Sequence, residues 1–154
     1  MHRRTLLIAG LGVALPAAAH HGWSSFNQDQ PLYLEGRLKS VQWRNPHAEG
    51  VIEVATGLAL PGDLAGRKLP AQQQAVDTPA ILARSRVPAD AAGDWEVEFA
   101  PLSRMEAWGV TPLKAGVRVE LIGYAGVAGK PRLMRVEYLI VQGRAAGLRS
   151  APQR

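Results

Sequence analysis

Cysteine is absent from this sequence of 154 residues. A chain without cysteine has no disulfide, no thiolate metal site and no cysteine nucleophile, so packing alone must stabilise the fold. Long apolar runs are also scarce. The run near the N-terminus, residues 6–15, is shorter than the roughly 20 residues that a membrane-spanning helix needs. We therefore expect no transmembrane segment in the mature chain.

Charge of one sign is in modest excess. The chain has 18 Lys and Arg against 13 Asp and Glu, which gives a formal net charge of +5 at pH 7. The basic residues are scattered, and no run combines basic with aromatic residues, so the composition argues against a nucleic-acid partner.

The N-terminus has the three parts of a cleavable signal peptide. The positive pair Arg3 and Arg4 precedes the apolar run of residues 6–15, and small residues at 17–19 supply a cleavage site. We therefore expect export to the periplasm. The arginine pair also resembles a twin-arginine signal, which carries folded proteins, so this route and ordinary unfolded export both stay open.

The signal peptide is expected to be cut after Ala19. The peptidase requires small residues at the first and third positions before the cut, and this position places Ala19 and Ala17 there. Residues 1–19 are then removed and His20 becomes the N-terminus. Roughly 135 residues remain, with a net charge of about +3, which is the length of one domain with a single modest core.

Alternation of apolar and polar residues predicts a mostly β fold with five strands. The predicted strands cover residues 32–43, 51–55, 94–99, 117–122 and 133–141. Ser103 is expected to cap a short helix over residues 104–108, between the third and fourth strands. This order of elements is that of the OB-fold, a small Greek-key barrel. A five-stranded open sheet or a sandwich would give much the same pattern.

Two segments have no strand pattern. Residues 58–93 are rich in Pro, Ala, Gly and Gln and are expected to form a long, exposed loop insertion, with a short helix near residues 79–86 as its only regular element. The Gly-, Ala- and Arg-rich residues 143–154 are expected to be a disordered tail. The predicted domain is therefore a single β-barrel over residues 20–142.

Several segments of the chain together resemble one known family. They are His20-His21-Gly22 with Ser24-Ser25-Phe26, Leu34-Glu35-Gly36, Trp43-Arg44-Asn45-Pro46-His47, Trp95-Glu96-Val97-Glu98, Trp108-Gly109, Leu113-Lys114-Ala115-Gly116 and Val119-Glu120-Leu121-Ile122-Gly123-Tyr124. In this order they resemble the small exported bacterial proteins catalogued as domain of unknown function 6152. The Trp-x-Asn-Pro-His segment is the most specific of them, whereas the long insertion departs from the family pattern. The resemblance implies export and this fold, and it brings no activity.

Three histidines, His20, His21 and His47, are the candidate metal ligands of the mature chain. A free N-terminal histidine offers its α-amine and its imidazole to one metal ion, and a further imidazole from His47 would complete a three-nitrogen site suited to copper. This requires the N-terminal arm to fold back beside the first hairpin. The alternative is that His47 caps a turn and that the other two are solvated. None of them has the i, i+4 spacing of a helical zinc site.

Four tryptophans, Trp23, Trp43, Trp95 and Trp108, could line a ligand face, because aromatic rings stack on flat ligands. Trp95 alternates with other apolar residues and is more typical of a core residue. Trp108 is expected to close one end of the barrel.

The sequence gives only weak support for a set of catalytic residues. Glu96 and Glu98 share a strand face and are close enough for paired carboxylate chemistry, yet alternating acids are also typical of a solvent-facing strand. The Ser24-Ser25 pair has no acid partner and no nucleophile-elbow context.

These features favour an exported, non-enzymatic binding module that holds a metal ion, with copper favoured, or a small ligand near the N-terminal histidines and His47. The alternative is an accessory protein whose barrel surface and insertion dock onto an envelope or periplasmic partner without a small ligand. An enzyme is the third choice.

Overall fold

The computed structural model describes residues 22–127 and 129–153, and strands dominate it. The strands are β1 (Phe26–Gln42), β2 (Glu49–Val54), β3 (Gly93–Glu98), β4 (Arg118–Gly126), β5 (Leu133–Val141) and β6 (Arg144–Gly147). The helices are α1 (Thr78–Arg84) and α2 (Leu102–Ala107), and single 3-10 turns cover Trp23–Ser25 and Leu64–Gly66. Within these ranges no helix is long and apolar enough to cross a bilayer.

The first five strands pair in a closed ring. β1 pairs antiparallel with β2 and with β4, β2 pairs with β3, and β4 pairs with β5. The ring closes where residues 96–98 of β3 run parallel to residues 133–135 of β5. This order, with α2 between β3 and β4, is that of the OB-fold, so the predicted fold class is confirmed. The additional strand, β6, pairs with β5 alone.

Alternate residues of the strands fill the interior of the ring. Trp95 and Val97 of β3 and Phe99 just after it are buried, as their spacing predicts. Met105 of α2 is fully buried in the same core, and Trp108 packs against it half-buried. Burial of apolar side chains on this inner face is favourable, so apolar residues recur at every second position of the strand sequence.

The starts of β1 and α2 are among the boundaries that differ from the prediction. β1 begins at Phe26, because Phe26 pairs with Gly126 ahead of a break in register that ends at Pro31. The helix α2 begins after Pro101, which occupies the cap position without a side-chain hydrogen bond, so the prediction that Ser103 caps this helix is wrong. Ser103 lies within the helix.

The insertion of residues 58–93 is packed against the barrel. Its apolar side chains are buried on an outer patch of the barrel, Leu64, Ile81 and Leu82 against Tyr33, Ile122 and Tyr138. The predicted short helix is present as α1, and the Asp77 carboxylate caps it by accepting from the backbone N–H of Ala80 at 3.0 Å. The prediction of an exposed insertion is wrong because its few apolar residues are widely spaced in sequence and form a cluster only on the barrel.

The tail also differs from the prediction. Residues 144–147 form β6, which pairs with β5 in a tight hairpin, and the Arg149 side chain beyond it ion-pairs with buried Glu137. The prediction of disorder over residues 143–154 is therefore wrong for its described part, which ends at residue 153. Composition gave no signal here, because the partners of these residues are distant in sequence or lie on the neighbouring strand.

The packed insertion leads to a first prediction. Leu82→Ala is expected to lower the free energy of unfolding by about 2–4 kcal/mol, because it leaves a cavity between α1 and the barrel. Leu60→Ala is the control, since Leu60 is 42% exposed in the same insertion and its loss should cost less than about 0.5 kcal/mol. Urea unfolding measures both. Equal, small losses would show that the insertion does not contribute to the core.

Candidate functional site

Segments of the chain itself cover much of the outer surface of the barrel. The insertion lies over part of β1, β4 and β5, and Trp23 with Phe26 covers Tyr124 and Leu133 nearby. The outward sides of β2 and β3 differ, since four of their five acidic residues, Glu49, Glu53, Asp94 and Glu96, are exposed. An open groove of about 370 Å³ lies on this side. In an OB-fold this is also the face that commonly binds ligands.

The groove carries more negative charge than its neighbours neutralise. Glu49 lies directly opposite Glu98 across the β2–β3 pair, and Arg135 neutralises Glu98 with an ion pair of 2.6 Å. Glu49 and Glu96 form no ion pair with any residue that the structure describes. Lys130 also lines the groove. Since Glu98 is engaged by Arg135, Glu96 and Glu98 are not an equivalent pair of carboxylates.

The start of the described chain, residues 22–26, is fixed on the barrel, and we call it the arm root. The guanidinium carbon of Arg149 lies 3.9 Å from the centroid of the Trp23 ring, and that of Arg135 lies 5.3 Å from it. The Trp23 ring also contacts Tyr124 edge to face at 6.2 Å. Cation–π contacts of desolvated arginines contribute about 2 kcal/mol. Trp23 therefore attaches the arm root to the barrel.

Backbone hydrogen bonds define the conformation of the arm root. The Ser25 N–H donates to the Gly22 carbonyl at 3.0 Å, and the Val127 N–H donates to the Ser25 carbonyl at 3.0 Å. The second of these bonds ties the arm root to the loop between β4 and β5. The direction in which the chain leaves Gly22 is consequently set by the fold.

A buried polar network holds Arg149 in place. The Glu137 side chain is fully buried and accepts hydrogen bonds from Arg149 Nε and from Gln72 Nε2, both at 2.8 Å. The Gln72 amide oxygen accepts in turn from the backbone N–H groups of Arg149 and Ser150. Burial, with the Glu137 charge nearby, raises the pKa of Tyr124 to about 12, so this phenol stays neutral beneath Trp23. The network joins the insertion, β5 and the tail at one point.

Arg135 links the arm root to the groove. Its side chain is only 7% exposed, lies under Trp23 and Phe26, and donates from Nη1 to Glu98 at 2.6 Å. Its Nε is buried without a hydrogen-bond partner in the described part of the chain. A buried donor left without an acceptor costs about 1–3 kcal/mol. The Arg135 Nε–H is therefore a destabilising feature at the junction of arm root and groove.

His20 and His21 lie outside the described residues, and they immediately precede the arm root. His47 is described and half-buried, in the loop of residues 43–48 that joins β1 to β2. This loop is held on the end of β3, because the Ala48 N–H donates to the Ala100 carbonyl at 3.0 Å and the Phe99 N–H donates to the Ala48 carbonyl at 2.9 Å.

Side-chain contacts link the arm root, through Arg135, to the end of β3 that also holds the His47 loop. The arm root reaches it through Trp23, Arg135 and Glu98, and the loop reaches it at Phe99. Within the described residues, no three His, Asp or Glu side chains form a metal-binding group.

The four tryptophans do not share a ligand face. Trp95 is buried in the core, Trp43 and Trp108 pack against it, and the Trp108 indole N–H donates to the Ser150 carbonyl at 2.8 Å. Trp23 packs on the outside instead.

Sequence reasoning missed Arg135, Glu137 and Arg149. One weak signal existed, since a predicted strand as apolar as residues 133–141 contains Arg135 and Glu137, and buried charges require partners. Their partners could not be named without the fold.

The buried pair leads to a second prediction. Arg149→Met is expected to destabilise the protein by about 3–5 kcal/mol, because it leaves the Glu137 carboxylate buried without its cation. Adding Glu137→Gln to this variant should recover much of the loss. Arg118→Met is the control, because Arg118 pairs with Glu35 at the surface, where such pairs contribute less than about 1 kcal/mol. Thermal unfolding distinguishes these cases, and strictly additive losses from the two network substitutions would contradict the coupling.

Comparison with known proteins adds one finding. No curated protein and no solved structure matches the chain. A family model described as "Family of unknown function (DUF6152)" matches residues 9–59, a range that holds the three candidate histidines, the arm root, β1 and β2. The match confirms, over these residues, the resemblance that the sequence motifs indicated.

Proposed function

We propose that this chain is a periplasmic, non-enzymatic binding module that holds a metal ion, copper(II) in preference to zinc(II), between its N-terminal arm and the loop of residues 43–48. The observation that carries the proposal is the attachment of Trp23. It fixes the chain three residues after His20 on the side chains of Arg149 and Arg135, and Arg135 pairs with Glu98 at the end of β3 that also holds the His47 loop.

The chemistry of the donors favours copper. After cleavage behind Ala19, the His20 α-amine and imidazole supply two nitrogens in one chelate, and the His47 imidazole supplies a third. Nitrogen donors bind Cu(II) more tightly than the neighbouring divalent ions. The three residues from His20 to Trp23 span at most about 11 Å when extended, so the arm samples a small volume around its attachment.

Attachment of the arm also lowers the cost of binding. A free N-terminal tail must lose conformational entropy along its whole length to bring its amine and imidazole beside His47, whereas the chain from Trp23 onward is already ordered in the unbound protein. Trp23 is therefore a positioning residue in this account and does not itself bind the metal.

A copper titration is the third prediction. Cu(II) is expected to bind the mature protein more tightly than Zn(II), and His20→Ala and His47→Ala should each weaken copper binding on the order of tenfold or more, since each removes a nitrogen donor. His21→Ala should weaken it less. Binding is measured by competition with a chelator of known affinity, on protein purified from the periplasm whose N-terminus is verified by mass spectrometry.

Two further variants make this titration specific. Arg44→Ala changes an exposed residue of the same loop and should leave copper affinity unchanged. Trp23→Ala keeps every nitrogen donor but releases the arm root, and it should weaken binding. If His47→Ala binds copper as the unmutated protein does, the N-terminal peptide alone chelates the metal and the proposal is wrong.

A second candidate function is the docking of a cationic partner protein on the open face of β2 and β3. It is supported by Glu49 and Glu96, two exposed carboxylates that lack an ion pair within the described ranges, on an outer surface that is elsewhere largely covered. The insertion contributes little to such a surface because its apolar residues pack on the barrel.

Docking is tested with an oligolysine peptide as the probe, which is the fourth prediction. The double variant Glu49→Gln/Glu96→Gln should weaken binding severalfold at low salt and reduce its dependence on salt, because surface charge pairs are screened. Asp29→Asn, an exposed acid near the start of β1, is the control. Equal peptide affinities for the double variant and the unmutated protein would remove this candidate.

A further inference from the structure

A second cleft lies between the loop that follows α2 and the β5–β6 hairpin. Its volume is about 350 Å³, within the range of small-molecule sites. None of its lining residues belongs to the arm root, to the His47 loop or to the β2–β3 groove. We propose that this cleft binds a small amphipathic carboxylate, with the apolar body inside and the carboxylate at the mouth.

Apolar side chains form about half of the wall of the cleft. Leu113 is buried, and Trp108, Val117 and Val141 are half-buried along it. The Trp108 ring has a fixed orientation because its indole N–H donates to the Ser150 carbonyl at 2.8 Å. An apolar ligand body would remove the remaining exposed surface of these side chains from water, which is the main source of affinity in such pockets.

The charge of the cleft selects an anion. Lys114 and Arg144 line it, both are exposed, and neither forms an ion pair with a residue that the structure describes. No Asp or Glu is among its lining residues. Arg144 extends towards the opposite wall, since its Nη2 lies 3.8 Å from the position that a Cβ on Gly109 would occupy. Two cations without a carboxylate of their own suit the carboxylate of a ligand.

The hairpin at the mouth is held in a strained conformation. Gln142 has a φ of 52°, and it is the one residue other than glycine with a positive φ in the described part of the chain. Tight hairpins prefer Asn, Asp or Gly at this position, and such strain is concentrated at binding sites. Gln142 lines the cleft beside Arg144, so its side-chain amide adds a hydrogen-bond donor for the same carboxylate.

The open groove on β2 and β3 is a useful contrast. It is lined by Glu49, Glu96 and Glu98 and would repel a carboxylate, whereas the cleft would repel an amine. The two openings therefore predict opposite preferences for the charge of a ligand of the same length.

Octanoate is the probe for the cleft, and octylamine and octanol are its matched controls. Titration calorimetry on the mature protein should show octanoate binding at least roughly tenfold more tightly than either control, because only octanoate combines the apolar chain with an anion. The double variant Lys114→Gln/Arg144→Gln should lose roughly tenfold in octanoate affinity. The double variant Lys68→Gln/Arg44→Gln removes the same charge from two other exposed positions and should bind octanoate normally.

A third variant tests the apolar part. Ala145→Leu adds bulk to the lining while keeping both cations, and it should weaken octanoate binding without lowering the melting temperature by more than a few degrees. The proposal is overturned if octanoate does not bind the unmutated protein at millimolar concentration, if octylamine binds as tightly as octanoate, or if the Lys114→Gln/Arg144→Gln variant keeps full octanoate affinity.

Discussion

The parallel pairing of residues 96–98 with residues 133–135 is the interaction on which the rest of this structure depends. It joins β3 to the part of β5 that β6 does not pair with, so the antiparallel sheet becomes a ring with a closed interior. The same pairing places the side chains of Trp95 and Val97 in the core and leaves those of Glu96 and Glu98 on the outside of the ring. It also brings Glu98 next to Arg135, which is how the groove and the arm root come into contact.

Two arginines connect the closed ring of strands to the arm root. Arg135 lies between the Trp23 ring and Glu98, and Arg149 stacks on Trp23 while it pairs with buried Glu137. Neither arginine can move without leaving a carboxylate in a region of low dielectric constant, which makes the support of Trp23 stiff. The arm root is therefore attached to the barrel at a defined point.

The sequence allowed the fold class to be predicted because burial in a strand such as β3 repeats every two residues, a period that is visible in the sequence without any partner. It did not allow the packing of Leu64 and Leu82 or the pairing of Arg149 with Glu137 to be predicted, because these contacts join residues far apart in sequence. Residue type alone was enough to name His20, His21 and His47 as candidate ligands. The role of Trp23 was missed because a cation–π contact depends on which arginines the fold brings to the ring.

The central claim is that the fold brings the N-terminal chelate and the His47 loop to one metal ion. Paramagnetic broadening by Cu(II) in two-dimensional amide NMR spectra of the mature protein tests it most directly, because the effect depends on the distance from each amide to the ion. The account predicts that substoichiometric Cu(II) broadens the amides of Gly22 and Trp23 together with those of His47, Ala48 and Phe99. Broadening confined to Gly22 and Trp23, with the His47 loop unaffected, would contradict it.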